Sequence, residues 1–371
     1  MSWSLSIGRI AGTAIRIHIT FLLFLVWIWA GSYVTGGAEA AWSGLLFMIL
    51  LFLCVLAHEF GHIFTARAFG VQTPDVTLLP IGGVARLERI PEEPLQEFLI
   101  AIAGPAVNVV IALALVVFAG ADLGGRHLAA VESSQVSMVD RLASVNLFLA
   151  LFNMIPAFPM DGGRILRALL AIKLGFTRAT EVAAMIGQWL AFALGFIGLF
   201  SNPLLIFIAI FVYLAAASES RLVTVRAMAR GVPVTAAMMT QFATLSPSQR
   251  IDEAVETLLR TSQSEFPVVE DGRLIGLLAR GDIIKALKEV GPDATVAPVM
   301  KQDVPTISHR RYLDEAFKLL QEKSAPAVGV LDANGRLAGL ITSETLGEML
   351  MVREAMPQGF VFGARGRPAR A

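Results

Sequence analysis

Two histidines and a glutamate stand close together in an otherwise apolar stretch of the sequence. His58, Glu59 and His62 form the pattern H-E-x-x-H, and Glu59 is the only Asp, Glu, Lys or Arg between Trp42 and Ala66. Two imidazoles four residues apart lie on one face of a helix and can bind the same Zn²⁺ ion. A glutamate beside them can take a proton from water. The pattern predicts a metal-dependent hydrolytic site inside a membrane-spanning helix, with a hydrogen-bonded polar cluster between helices as the alternative.

A catalytic zinc ion needs a third protein ligand and keeps its fourth position for water. The chain has one cysteine, Cys54, so thiolate clusters and an internal disulfide framework are excluded. We expect the third ligand to be Asp161, which lies in the segment NMIPAFPMDGGR, residues 153–164. Pro156 and Pro159 end the preceding helix, and the two glycines after the aspartate let the backbone turn closely. A helix cap at the membrane surface is the alternative role for this aspartate.

The composition is that of a membrane protein joined to a soluble region. Of the 371 residues, 55% are hydrophobic and 16% are charged, whereas a soluble domain has about 25% charged residues. The long uncharged runs end near Ser218, and charged residues are frequent after it. The lipid bilayer is therefore an expected partner. A formal net charge of zero, with no dense basic stripe, leaves no reason to expect nucleic-acid binding.

Six apolar segments have the length and composition to cross a bilayer, the fourth being short. The expected fold class is therefore a membrane α-helical region followed by an α/β region. The predicted spans cover about 15–33, 42–64, 98–119, 142–158, 182–200 and 203–217, within a membrane domain of residues 1–220. No cleavage site follows the first apolar segment, so we expect it to be retained. Lys and Arg concentrate in the loops on one side, which predicts that both termini are cytoplasmic.

The second region contains an internal repeat. The segment SPSQRIDEAVETLL from Ser246 matches SHRRYLDEAFKLL from Ser308, and DGRLIGLLARGDI from Asp271 matches NGRLAGLITSETL from Asn334. Each copy reads as strand, helix, two strands and helix, and two copies are too few for a solenoid. We predict a linker at 221–234, a first repeat at 235–292, a second repeat at 293–353 and a flexible tail at 354–371.

The loop between the second and third predicted spans carries β-branched stretches around Gly82 and Gly83. Residues 71–94 therefore predict a hairpin or small sheet at the membrane surface. An exposed strand edge there could accept an extended peptide as a further strand, which is one mode of substrate capture. An ordinary cytoplasmic loop is the alternative.

The combination of motifs resembles a known family. The run HEFGH at residues 58–62, together with NMIPAFPMDGG from Asn153, is similar to the site-2 protease family of intramembrane zinc metalloproteases. The branch it most resembles has six spans followed by two cystathionine-β-synthase-type (CBS) repeats, so the resemblance covers nearly the whole chain. It implies cleavage of transmembrane helices, with His58, His62 and Asp161 as zinc ligands and Glu59 as the base.

The resemblance also implies a role for Asn153, which matches the asparagine of the family motif. Its amide could donate a hydrogen bond to the substrate carbonyl or its oxyanion, and a helix-packing amide is the alternative. In the third span, AGPAVN at residues 103–108 is similar to a core element of the family. Packing is the favoured role there, with substrate positioning by Asn108 as the alternative. We interpret His18 as an interfacial histidine rather than a ligand, and Cys54 as an inert buried thiol.

The resemblance implies partners for both regions. Substrates of the family include single-span anti-sigma factors or other regulators, often after a first cut by another protease. The expected location is the cell membrane, as a multi-pass protein of the prokaryotic plasma membrane. CBS pairs often bind adenosyl ligands and stack into homodimers. Each copy here keeps only half of the ligand-binding pattern, Asp282 in the first and Thr342 in the second, so an adenine nucleotide site and a structural role stay open. A CBS-regulated ion transporter or channel is the alternative function.

Overall fold

The structure is a computed structural model that describes residues 3–80, 82–85, 92–123 and 137–355. The chain divides into two compact units, Met1–Arg221 and Leu222–Ala371. Most of the predicted tail, from residue 356 onward, lies outside the described residues. So do Arg86, Arg89 and Arg126, which contributed to the predicted orientation.

The first unit begins with strands rather than with a helix. A four-stranded sheet has the order β1-β2-β3-β4, with β1 Ser4–Ile10, β2 Thr13–His18, β3 Asp75–Leu79 and β4 Gly82–Ala85. The β1–β2 and β3–β4 pairs are antiparallel, and β2–β3 is parallel. The predicted start of the first span at residue 15 is therefore wrong. Residues 15–18 belong to β2, whose backbone groups pair with strands on both sides, and the helix begins at Ile19.

The helix α1, Ile19–Ala68, contains the first two predicted spans and reverses direction at Gly37. Gly37 has φ 72° and ψ −168°, a conformation that glycine adopts without steric cost. The Phe21 and Phe52 rings lie 4.4 Å apart, and the Trp29 and Trp42 rings lie 6.1 Å apart. The contact partner in residues 38–68 therefore lies further from Gly37 as the partner in residues 19–36 lies further from it. The two limbs form an antiparallel helical hairpin, and the second limb carries the HEFGH run.

The described part of the first unit contains five further helices. They are α2 Pro94–Ala119, α3 Met138–Asn153, α4 Asp161–Leu174, α5 Phe176–Phe200 and α6 Pro203–Ala229. Four of the described helices, α1, α2, α5 and α6, are long and apolar enough to cross a membrane. The fourth predicted span, 142–158, corresponds to the short helix α3. That helix ends at Asn153 because Pro156 and Pro159 follow in the turn that leads to α4.

The outer surface of the long helices is apolar. Phe118 at the end of α2 and Phe200 at the end of α5 are among the most exposed side chains of the unit. Trp189 and Phe192 project from α5, and Phe207 projects from α6. Contiguous exposed apolar surface of this kind is typical of a lipid-facing protein.

The second unit contains two similar α/β halves. The first consists of α7 Ile251–Arg260, β5 Glu265–Glu270, β6 Arg273–Ala279 and α8 Arg280–Glu289. The second consists of β7 Thr306–Ser308, α9 Leu313–Glu322, β8 Ala327–Leu331, β9 Leu337–Thr342 and α10 Ser343–Ala355. Each half has its own apolar core cluster. In the first half the opening strand is reduced to a single bridge between Leu245 and Val268.

The predicted linker at 221–234 is not a separate segment. Helix α6 continues to Ala229, and Ala229, Val232 and Val234 are buried in the core cluster of the second half-domain. Small and β-branched apolar residues at these positions can bury against that core, which a polar, flexible linker could not do.

Candidate metal centre

Three predicted ligand residues converge at one point. The Nε2 atoms of His58 and His62 lie 3.1 Å apart, and each lies 3.3 Å from Oδ2 of Asp161. All three residues are buried. Two ligand atoms about 2.0 Å from a tetrahedral zinc ion stand about 3.3 Å apart. The measured separations therefore have the size that a zinc site requires.

A hydrogen-bonded chain that ends on a backbone carbonyl orients His58. The amide Nδ2 of Asn146 donates to the carbonyl of Leu142, which can only accept, so Oδ1 of Asn146 accepts from Nδ2 of Asn108 at 2.8 Å. Oδ1 of Asn108 then accepts from Nδ1 of His58 at 2.5 Å. His62 is held in the same way, because its Nδ1 donates to the carbonyl of Ile100 at 2.7 Å. Such partners on the far ring nitrogen are typical of metal-binding histidines.

The resulting donor set fits a cation. In the neutral form that a metal requires, a proton on each Nδ1 leaves the Nε2 lone pair directed at the other ring and at the Asp161 carboxylate. Three acceptors this close repel one another unless a positive charge lies between them. Two imidazole nitrogens and one carboxylate oxygen are ligands that zinc prefers, and a fourth position stays open for water or substrate. The described residues contain no other cluster of this kind.

One face of α2, the stripe formed by Ile100, Gly104 and Asn108, packs against the two histidines of the centre. Ile100, Gly104 and Asn108 recur at helical spacing and are all buried. A Cβ on Gly104 would overlap Nε2 of His62 and would stand 2.7 Å from Nε2 of His58. Gly104 therefore lets α2 lie directly against both imidazoles, a close approach that a larger residue would prevent.

The two glycines after Asp161 position the carboxylate. Asp161 is the first residue of α4, and the chain turns sharply between Asn153 and this helix. A Cβ on Gly162 would collide with the carbonyls of Met154 and Ile155, and one on Gly163 would stand 2.7 Å from the backbone of Ala157. The start of α4 thus packs on the preceding turn, as the Asp-Gly-Gly sequence predicts.

Glu59 lies beside the ligands and next to the edge of the sheet. It lines a cavity of about 470 Å³ together with His58, His62 and Asp161. Strand β4 passes close by, since a Cβ on Gly83 would stand 2.7 Å from Cγ of Glu59. β4 is the last strand of the described sheet, and its residues Gly82, Gly83 and Ala85 line the cavity.

Two further polar residues of the cavity wall come from the NMIPAFPMDGGR segment. Asn153 and Arg164 both line the cavity. Neither side chain forms a hydrogen bond or ion pair with the residues that the structure describes. The opposite wall is apolar and includes Ile208, Phe211 and Val212 of α6. The site therefore combines a metal-binding corner, two polar groups and an apolar wall.

Other candidate residues have different places. His18 caps the start of α1 and bonds Thr20, so it stands outside the ligand cluster. Cys54 is half-buried and does not line the cavity. Asn108 is fully buried, bonds His58 and also lines the cavity, so its role is more than packing. Sequence reasoning missed this role, although the helical spacing from Gly104 to Asn108 was a signal for it.

The two CBS residues singled out from the sequence lie in different surroundings. Thr342 is buried, and its hydroxyl accepts from the backbone NH of Thr345 at 3.2 Å. Asp282 caps the start of α8 and pairs with Lys301 at 2.9 Å. Only Thr342 lines the cleft of about 390 Å³ in this unit, and Asp282 does not. The structure therefore does not combine the two half-patterns in that cleft.

The charge of the cleft is negative. Glu265, Glu344 and Glu348 line it, and no Lys or Arg is among its described lining residues. Burial, and then the neighbouring Glu344, raise the pKa of the Glu265 carboxyl. Carboxylates therefore predominate in the cleft wall, and a cation beside it, Arg280, bonds the carbonyls of Ser262 and Gln263.

Comparison with known proteins agrees with the geometry. The Peptidase family M50 profile matches residues 46–133 and 126–196, and the CBS domain profile matches residues 234–289 and 296–350. The zinc metalloprotease MJ0392 of Methanocaldococcus jannaschii is 35% identical over 358 residues, covering 95% of this chain and 98% of its own. A Synechocystis sp. protein named as a candidate zinc metalloprotease, sll0528, is 30% identical and covers 84% of both chains.

The solved structure of a site-2 protease from Methanocaldococcus jannaschii is 39% identical. It covers 59% of this chain and 95% of its own, with a TM-score of 0.43. The comparisons give the ion-transport alternative no support, because the two relatives described above are named as zinc metalloproteases. The chain belongs to peptidase family M50, the site-2 proteases, as a membrane-embedded zinc metalloendopeptidase with a C-terminal CBS pair.

Proposed function

We propose that this chain cleaves the spanning segments of single-span membrane proteins in regulated intramembrane proteolysis. In this proposal His58, His62 and Asp161 hold one zinc ion, and Glu59 is the base. The observation that carries it is the convergence of Nε2 of His58, Nε2 of His62 and Oδ2 of Asp161 within 3.1–3.3 Å, next to a glutamate and a cavity.

The chemistry is hydrolysis of a peptide bond. Zinc, when bound, supplies a Lewis acid for the scissile carbonyl and makes water more acidic. The Glu59 carboxylate accepts a proton from the attacking water and later delivers it to the leaving amide nitrogen. One C–N bond breaks, and the products are a carboxylate and an amine.

Asn153 is proposed to contact the substrate at the reacting carbonyl. Its amide lines the cavity and has no hydrogen-bond partner among the described residues, so its NH₂ group is available to a ligand. A donor aimed at the oxygen where negative charge develops stabilises the transition state. The helix-packing alternative would require an intramolecular partner, which the described residues do not supply.

A helical substrate must unwind before its peptide bonds can be attacked, because helical backbone groups are already satisfied. We propose that the unwound segment pairs with the outer edge of β4. The edge lies beside Glu59, and the small residues Gly82 and Gly83 let another backbone approach. Main-chain hydrogen bonds would give affinity with little dependence on side chains.

The biological setting proposed rests on the family. The substrate is a single-span regulator such as an anti-sigma factor, first cut by another protease, in a prokaryotic plasma membrane. Arg67 at the end of α1 and Lys173 at the end of α4 favour cytoplasmic placement of both termini by the positive-inside rule.

The CBS pair is proposed to be a regulatory module that supports homodimerisation. Its cleft has room for an adenosyl group, and Thr342 lies in the cleft wall. The three glutamates of the cleft favour a ligand with few phosphates, so AMP or a neutral or cationic adenosine derivative suits it better than ATP.

The test of this function uses Glu59→Gln in the full chain with a co-expressed single-span substrate. We expect cleavage to fall by about 10²–10⁴-fold, since the general base is lost. Zinc content, measured by plasma mass spectrometry, stays at the wild-type value because the ligands are intact. Glu39→Gln makes the same chemical change at an exposed position on the same helix and should leave cleavage unchanged.

Unchanged cleavage in a zinc-loaded Glu59→Gln protein would overturn the mechanism. Ion flux in reconstituted liposomes, with no proteolysis by the wild type, would instead overturn the function. The same variant also serves as a trap, because a bound, uncleaved substrate should co-purify with it and not with the wild type.

A further inference from the structure

A second buried polar cluster lies in the first unit, away from the ligands. The guanidinium of Arg167 on α4 donates from Nε and Nη2 to Oε1 of Glu97 on α2, at 2.7 and 2.5 Å. Its Nη1 donates to Oε1 of Glu219 on α6 at 2.6 Å. Arg167 is 1% exposed, and Glu97 is 4% exposed. One arginine thus joins three helices.

This cluster is costly in such an apolar setting. Two carboxylates share one guanidinium, and Oε2 of Glu97 is buried with no hydrogen-bond partner among the described residues. The faces of Phe158 and Phe176 cover the guanidinium, with ring centroids 5.1 and 4.8 Å from Cζ. Apolar packing of similar volume would often be more stable than a buried charge cluster. Stability alone therefore does not account for it.

The Glu97 arm of the cluster continues the stripe of α2 that holds the histidines. Glu97, Ile100, Gly104 and Asn108 follow one another at spacings of three and four residues, so they share one face of α2. Ile100 accepts from His62, Gly104 touches both imidazoles, and Asn108 accepts from His58. The position of α2 along its axis therefore sets the orientation of both rings.

The Arg167 end of the same contact belongs to the helix that supplies the third ligand. Asp161 opens α4, and Arg167 lies less than two turns further along. Two charge-assisted hydrogen bonds from the guanidinium to Oε1 of Glu97 oppose sliding of α4 along α2. They therefore fix the distance from the Asp161 carboxylate to the two imidazoles.

The Glu219 arm reaches the cavity wall. Ile208, Val212, Ala216 and Glu219 lie on one face of α6 at helical spacing. Ile208 and Val212 line the cavity, and Ala216 is fully buried. The contact of Glu219 with Arg167 therefore fixes the wall on which a substrate would lie.

We propose that Arg167 is a positioning residue that holds Asp161 in register with His58 and His62 through Glu97, and holds the substrate wall through Glu219. The proposal rests on the zinc site described above. The two arms make separate predictions, because one acts on the metal and the other on the substrate.

The test compares three variants of the full-length protein. Arg167→Lys keeps the charge but replaces the fork with a single donor centre. The neutral triple variant, Glu97→Gln with Arg167→Met and Glu219→Gln, removes all the buried charges and so leaves none unpaired. Glu219→Gln alone removes one arm, at a side chain that is 26% exposed. Lys173→Met is the control, since it changes an exposed charge on the same helix.

Zinc affinity by chelator competition and the visible absorption of the Co²⁺-substituted protein report on the metal site. We expect Arg167→Lys and the neutral triple variant to bind zinc about 10–100-fold more weakly. Their Co²⁺ spectra should shift, and kcat should fall. Glu219→Gln should raise KM by at least about threefold while zinc affinity and the Co²⁺ spectrum stay unchanged. Lys173→Met should match the wild type throughout.

Two results would overturn the proposal. One is wild-type zinc affinity and a wild-type Co²⁺ spectrum in a folded Arg167→Lys or neutral triple protein. The other is an unchanged KM in Glu219→Gln. This variant alone still tests the proposal if the other variants fail to fold. A wild-type protein that binds no zinc would instead refute the zinc site itself, so the two failures are distinguishable.

Discussion

The metal centre of the first unit and the cleft of the CBS pair both contain buried or half-buried polar residues, but they use them differently. At the centre, the lone pairs of His58, His62 and Asp161 face one another, and the far side of each ring is hydrogen-bonded. In the cleft, Thr342 bonds the start of the helix that follows it, and three glutamates are among the lining residues. The first arrangement presents the donor set that a metal ion needs, whereas in the second the Thr342 hydroxyl is satisfied by the protein itself.

The difference shows that the surroundings of a polar side chain determine how strongly its presence indicates a functional site. In an apolar helix a histidine or aspartate needs a specific reason to be buried, so a small number of residues identifies a site. In a soluble α/β domain, the same residue types cap helices and turns at little cost. A motif residue that is present in the second unit is therefore weaker evidence for ligand binding than one in the first unit.

The largest expected difference comes from replacing one aspartate by asparagine in each region. Asp161→Asn removes the anionic zinc ligand, so zinc should be lost and cleavage should fall by more than about a thousandfold. Asp282→Asn removes a partly exposed ion pair with Lys301 and should change stability by less than about 1 kcal/mol. Metal analysis and a cleavage assay of both variants test the contrast. Equal losses of zinc and of cleavage in the two variants would contradict the expected difference between the regions.

Replacing one glycine by alanine in each region should have opposite effects, one unfavourable and one stabilising. Gly104→Ala places a methyl group against both imidazoles and should weaken zinc binding by about 10–100-fold. Gly281→Ala lies in α8 with nothing within 4 Å of the new methyl and should stabilise the CBS pair by about 0.5–1 kcal/mol. Zinc titration and limited proteolysis measure the two changes. Wild-type zinc affinity in Gly104→Ala would mean that α2 does not press on the ligands.

The charge of the CBS cleft leads to a prediction about nucleotides. AMP should bind more tightly than ATP, because each added phosphate meets Glu344 and Glu348. Changing both glutamates to glutamine should tighten ATP binding by about tenfold or more. Isothermal titration of the full-length protein measures both affinities. Tighter binding of ATP than AMP by the wild type would show that the phosphates lie elsewhere.

The smallest effect concerns pH. Burial and Glu344 raise the pKa of Glu265 in the folded protein. Below the ordinary glutamate pKa the group is neutral in both states and costs nothing. As pH rises through the raised pKa, the folded state must carry a disfavoured charge, and stability falls. Glu265→Gln should therefore stabilise the second unit at pH 8 but not at pH 4, by less than about 1 kcal/mol because water screens the group. Proteolytic stability that is equally pH-dependent in wild type and variant would contradict this.

The sequence predicts much of the metal centre and less of its support. His58, His62 and Asp161 stand out because of spacing and apolar context, and the Pro and Gly residues around Asp161 predict its turn. The hydrogen bonds of Asn108 and Ile100 could not be predicted, because a backbone carbonyl carries no residue signature and a buried amide resembles a packing residue. The Glu97–Arg167 contact joins residues 70 positions apart, and the register of two helices is a tertiary property.

The N-terminal strands were missed for a related reason. Ile15 and Ile17 continue the apolar pattern of the first span, and only pairing with β1 and β3 selects the strand conformation. The end of α6 was read as a linker because its charges resemble those of a surface segment. Its apolar residues become informative only when the core of the second unit is seen to cover them.

X-ray absorption at the zinc edge of the purified full-length protein tests the central claim most directly. The account predicts one zinc per chain with nitrogen and oxygen ligands at about 2.0–2.2 Å and no sulfur. The imidazole scattering of two histidines should be present in Glu59→Gln and lost in a variant with both His58 and His62 replaced by Ala. A sulfur ligand at about 2.3 Å, or a spectrum that is unchanged without the two histidines, would contradict it.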